Sequence, residues 1–109
     1  MILKGNNFID NNLKPLIDSL KNDFEKVHRF EESGELFGLL TLGRGENLFF
    51  QKGDKAFICD ISARDSELDK SSIKKWDDGT KISLNQKKEL AVKISDLYKK
   101  FYKDQLKIE

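Results

Sequence analysis

Three short runs, Glu35–Leu42, Asn47–Gln51 and Lys55–Ser62, are separated by Gly43-Arg44-Gly45-Glu46 and by Lys52-Gly53-Asp54. Runs of this length with glycine-bearing connections leave room for strands joined by tight turns, so the middle of the chain reads as an antiparallel meander. In the first run Leu36, Leu40 and Leu42 alternate with Phe37, Leu39 and Thr41; in the third, Phe57, Cys59 and Ile61 alternate with Ile58, Asp60 and Ser62. Both faces of the first strand are therefore apolar. Either that strand is central and buried, or one face takes the helices and something else covers the other: a homodimer partner, another binding partner or the N-terminal residues.

On both sides of the meander the spacing changes. Leu13, Leu16, Ile17, Leu20, Phe24 and Val27 recur every three or four residues, the stripe of an α-helix. Asp10, Asn11 or Asn12 is its candidate cap, Pro15 falls in its first turn, His28 near its end, and Glu31-Glu32-Ser33-Gly34 closes it. A second stripe, Leu90, Ala91, Ile94, Leu97, Tyr98 and Phe101, predicts a helix from Leu84 to about Tyr102. Ser83 and Gln86 have the spacing of a capping box at its start. Between meander and helix, residues 63–71 are polar and read as a loop, and Ile73–Ile82 reads as a fourth strand or hairpin turning at Asp78-Gly79. The expectation is a single α+β domain over residues 1–109. It has an antiparallel sheet of about four strands, with the N-terminal and C-terminal helices on one face.

The chemistry-bearing residues argue against an enzyme. One His and one Cys leave little for a zinc site, and a lone Cys59 in an apolar alternation reads as a core thiol in a reducing compartment. His28 has no nucleophile in a recognisable motif, and Gly43-x-Gly45 lacks the following helix that a phosphate cradle needs. Asp60, Asp65, Glu67 and Asp69 lack the glycine and terminal glutamate of a calcium loop. No metal or cofactor is expected. No stretch has the length of a membrane span, so the chain reads as cytoplasmic. Lys and Arg total 20 against 19 Asp and Glu, a net charge of +1 that does not suit a strongly basic nucleic-acid binder. The lysines of the terminal helix, with Trp76 or Tyr98 to stack on bases, keep a small nucleic-acid-binding domain as one alternative. A secretion chaperone or adaptor pairing through its sheet is another.

An acidic loop beside a tryptophan hairpin suits a protein partner better, since charge speeds encounter and one aromatic anchors the contact. The segment Ile73-Lys74-Lys75-Trp76-Asp77-Asp78-Gly79-Thr80-Lys81-Ile82-Ser83 and the Ile/Leu-rich helix after it resemble the C-terminal part of small bacterial immunity proteins of polymorphic toxin systems. The family is the immunity protein family numbered 74, of the contact-dependent growth inhibition type, and the likeness covers roughly residues 72–101. It implies a cytoplasmic, non-enzymatic protein that binds and neutralises a cognate toxin, commonly a basic nuclease, without itself touching nucleic acid or membrane. Carboxylates would then imitate phosphate, and the expected toxin-binding residues are Asp60, Asp65, Glu67, Asp69, Trp76, Asp77 and Asp78.

Overall fold

The computed structural model describes the backbone from Asn6 to Glu109 and the side chains from Leu13 onward. Its organising element is a six-stranded sheet in sequence order. The strands are β1 (His28–Glu32), β2 (Glu35–Leu42), β3 (Asn47–Lys52), β4 (Lys55–Ser62), β5 (Glu67–Asp69) and β6 (Lys107–Ile108). Neighbouring strands run antiparallel except β5 and β6, which are parallel. Helix α1 (Asn6–Lys21) precedes the sheet, and α2 (Leu84–Tyr102) lies between β5 and β6. The chain is thus α+β as expected, with six strands where about four were anticipated. The additional strands are β1, carved from the end of the anticipated first helix, and the short β5 and β6.

The helices lie on opposite faces of the sheet, which corrects the expectation of one face. Adjacent strand residues point to opposite sides, and Phe49 and Phe50, both fully buried, belong to different cores. Phe50 packs with Phe37, Leu39, Leu48, Phe57 and Cys59 beneath Leu90, Ala91, Ile94, Leu97 and Tyr98 of α2. Phe49 packs with Ala56 and Val27 against Ile17 and Leu20 of α1. The doubly apolar β2 is an inner strand whose Phe37 and Leu39 are buried beneath α2, while Leu40 and Leu42 on its other face are half-buried beside the α1-side core, α1 itself lying over β3 and β4.

Helix α1 begins before its anticipated caps, so Pro15 stands inside it and not in its first turn. It also ends six residues earlier than the apolar spacing implies. Asp23 Oδ1 accepts the Glu25 and Lys26 N–H groups at 3.2 and 3.0 Å, a local turn that competes with helix. The Arg29 guanidinium then closes the helix, donating to the Leu20 and Lys21 carbonyls at 3.0 Å and to Gln51 Oε1 at 2.6 Å. Val27 leaves the helix yet still reaches the α1-side core, while Phe24 stays 71% exposed with the Arg29 guanidinium 4.6 Å from its ring centre. His28 accordingly starts β1, stacked on Phe101 at 5.0 Å.

Candidate acidic docking surface

The segment Ser72–Ile82 does not form a full strand. Lys75 and Lys81 make a single antiparallel bridge, and Trp76 and Thr80 close the turn, the Trp76 N–H donating to the Thr80 carbonyl at 2.9 Å. The hairpin lies along the outer edge of β4, where β5 pairs only with Asp60–Ser62. There it satisfies edge groups that would otherwise stay open. The Ala56 N–H donates to Asp77 Oδ1 at 3.0 Å, the Ala56 carbonyl accepts from the Asp77 N–H at 2.9 Å, and the Asp60 N–H donates to Ser72 Oγ at 2.8 Å.

Asp77 faces inward. Its side chain is 3% exposed, with the Lys21 ammonium 2.5 Å and the Lys14 ammonium 3.7 Å from Oδ2. Burial pushes its carboxyl up, but Lys21, the Ala56 N–H and Lys14 outweigh that and hold it below the ordinary range. This carboxylate ties α1 to β4 and to the hairpin, and a partner's cation reaches it only by displacing a lysine. Asp78 is exposed, accepts the Thr80 N–H at 2.9 Å, and is held below the ordinary range first by that bond and then by Lys55. Trp76 is half-buried, 5.2 Å from the Phe57 ring, and separates two clefts. One, of about 350 Å³, lies toward Lys14 and Ile17 of α1; the other, of about 270 Å³, lies toward Glu89 and Lys93 of α2.

The remaining carboxylates gather elsewhere. Asp60 and Asp69 are direct cross-strand partners, and Glu67 pairs with Ser62, so Asp60, Glu67 and Asp69 project from the same face of the β4–β5 ladder. Asp65 joins them through Ser62, whose hydroxyl donates to Asp65 Oδ2 at 3.1 Å. Asp60 also accepts from Asn47 Nδ2 at 3.0 Å. Partial burial, then the neighbouring Asp69 charge, raises the Asp60 carboxyl against the opposing pull of Lys74 and Asn47. Asp69 Oδ1 accepts the Ser71 N–H at 3.0 Å, which caps a short 3₁₀ turn. The expected contact residues therefore divide into a carboxylate cluster (Asp60, Asp65, Glu67, Asp69) and a hairpin set (Trp76, Asp78), with Asp77 withdrawn into the structure. Asp60 and Ala56, which mark the two sets on β4, are about 13 Å apart at ~3.3 Å per residue.

Among the described residues, no group of three or more His, Cys, Asp or Glu side chains is placed to hold a metal ion. The Cys59 thiol is buried, and desolvation pushes its pKa upward, away from the reactive thiolate. No described helix is long and apolar enough to cross a membrane. Lys14, Lys21 and Ser72 escaped the sequence reading, because their partners are 63, 56 and 12 residues away along the chain. A scan of family models, a search of curated proteins and a search of solved structures each return no match.

Proposed function

We propose that this chain is a cytoplasmic, non-enzymatic immunity protein that neutralises a basic toxin domain, a nuclease by its chemistry, through tight binding. The observation that carries the reading is the gathering of Asp60, Asp65, Glu67 and Asp69 on one end of the sheet. Clustered carboxylates attract the lysines and arginines with which a nuclease holds phosphate, and they speed encounter as well as hold the complex. The Asp69 charge that helps to raise the Asp60 carboxyl is offset when a cation of the partner sits between the two carboxylates. Trp76 and Asp78 flank this cluster along the β4 edge and extend the contact. The likeness of residues 72–101 to the immunity family supports the same conclusion.

The test begins with capture of partners from a lysate using the tagged chain, followed by an inhibition assay on what is recovered. The expected partner is the C-terminal part of a large secreted protein whose nuclease activity this chain abolishes. Asp65→Lys with Glu67→Lys should weaken that inhibition at least tenfold with no more than a small drop in the thermal midpoint, since Asp65 is exposed in the turn between β4 and β5 and Glu67 is the half-buried first residue of β5. Unchanged inhibition removes the cluster from the interface. Recovery of a secretion substrate's N-terminal region, or of nucleic acid lost as salt rises, assigns the chain to a different class.

A further inference from the structure

Among the described residues no strand pairs with the outer edge of β1, and the hydrogen-bond phase of the sheet fixes which peptide groups it presents. Ser33 and Gly34 form a two-residue turn, both at positive φ (54° and 80°), between the paired Glu32 and Glu35. Glu32, Phe30 and His28 therefore exchange hydrogen bonds with β2, while Arg29 and Glu31 turn their N–H and C=O groups outward. The Leu36 carbonyl, opposite Glu31, confirms the phase by accepting the Gly53 N–H on its far side at 2.8 Å. Among the described residues nothing bonds to the main-chain groups of Arg29 or Glu31. The strand carries no proline or bulge to discourage pairing, and its sequence is His-Arg-Phe-Glu-Glu.

We propose that β1 pairs antiparallel with β1 of a second copy of this chain, centred on Phe30, to make one continuous sheet across a two-fold dimer. The occupant follows from phase and charge together. Only outward-facing residues can exchange main-chain bonds, so Arg29 or Glu31 must face Arg29 or Glu31 of the other copy. Centring on Arg29 sets two arginines opposite one another, and centring on Glu31 sets two glutamates opposite one another. Centring on Phe30 sets Arg29 against Glu31 twice and Phe30 against Phe30, with His28 opposite a Glu32 whose carboxylate Lys93 of the same chain already holds. Like charges directly opposite destabilise a strand pair and opposite charges support it, so one register stands out. Arg29 and Glu31 are complementary in charge about Phe30, the property an isologous contact requires. Arg29 keeps its guanidinium on the end of α1 and contributes through its charge. Lys100, whose ammonium lies 4.4 Å from the Phe30 ring centre, is exposed and must leave that ring for the two Phe30 side chains to meet. This inference is independent of the carboxylate cluster, which lies on β4 and β5.

The seam is short and belongs with weak, transient interfaces, so the dimer forms at high protein concentration. Sedimentation velocity over a concentration series should show the 12.6 kDa chain moving toward twice its mass. Amide exchange should slow at Arg29 and Glu31 as concentration rises, and not at Phe30, which β2 already protects. Glu31→Arg puts like charges opposite one another at both pairs; association should weaken at least tenfold with an unchanged thermal midpoint, because Glu31 is exposed. Phe30→Cys should form an intermolecular disulfide on oxidation, since the two Cβ atoms oppose one another and Cys59 is buried. If Phe30→Cys fails to fold, Glu31→Arg decides alone. A chain that stays monomeric at millimolar concentration overturns the proposal. So does a dimer that Glu31→Arg leaves intact, or protection of the two amides that appears only on adding a basic peptide.

Discussion

Asp77 shows how a residue that looks like a surface acid can be part of the frame. It sits in a turn sequence, Trp-Asp-Asp-Gly, that suggests exposure, yet its carboxylate faces Lys21, Lys14 and the Ala56 N–H. Its neighbour Asp78 takes the exposed turn role instead. Because the Asp77 carboxyl is held below its ordinary value of 3.8, its stabilisation is fully present above that value and is lost as pH falls through the lower folded value. Asp77→Asn should therefore cost about 1–3 kcal/mol at neutral pH, the range for a buried, charge-assisted hydrogen bond. In urea titrations the two proteins should converge in stability well below that value; a constant gap across the whole range would mean the charge is not what matters. Asp60 has the opposite sign: its carboxyl is raised, so its ionised form opposes folding slightly until a cation arrives.

The two helices are ended by different kinds of interaction. Helix α2 is capped from within four residues: Ser83 Oγ accepts the Gln86 N–H at 3.2 Å, and Gln86 Oε1 accepts the Ser83 N–H at 2.9 Å, the full capping box. Helix α1 is closed by Arg29, which reaches back from β1 to the Leu20 and Lys21 carbonyls. Only a planar fork meets those two carbonyls and Gln51 together, so Arg29→Lys keeps the charge and loses the geometry. It should cost about 1–3 kcal/mol in urea unfolding, from hydrogen bonds to a charged group. Ser83→Ala should cost about 1 kcal/mol, and Ser83→Asp should recover it. An Arg29→Lys protein as stable as the wild type would show that the Asp23 turn alone ends α1.

At the scale of the whole molecule, one sheet serves as a wall of two cores. The strands that carry Phe50 and Phe57 toward α2 carry Phe49 and Ala56 toward α1, so neither layer can separate without exposing the back of the same strands. Unfolding is expected to be a single transition. Trp76 fluorescence and far-ultraviolet circular dichroism should trace coincident curves. An earlier loss of dichroism would show that α1 melts from the sheet while the Trp76 hairpin holds.

The sequence alone determined the elements whose causes lie within a few residues. Glycine-bearing turns placed β2, β3 and β4, a side-chain pair three residues apart placed the start of α2, and the 3.6-residue stripe placed its buried face. Tertiary structure decided what depends on distant partners. A stripe of spacing three and four runs from Leu13 to Val27, but the chain leaves the helix after Lys21 because β1 has an open strand, β2, to pair with and Arg29 to end the turn. Periodicity shows that a strand has two apolar faces; it does not say which helix covers which. The carboxylates were legible as residues, but not their division into a surface cluster and one inward ion pair. That division depends on Lys14 and Lys21 arriving from α1, and a charge is kept buried or left in water according to the partners that the fold brings to it.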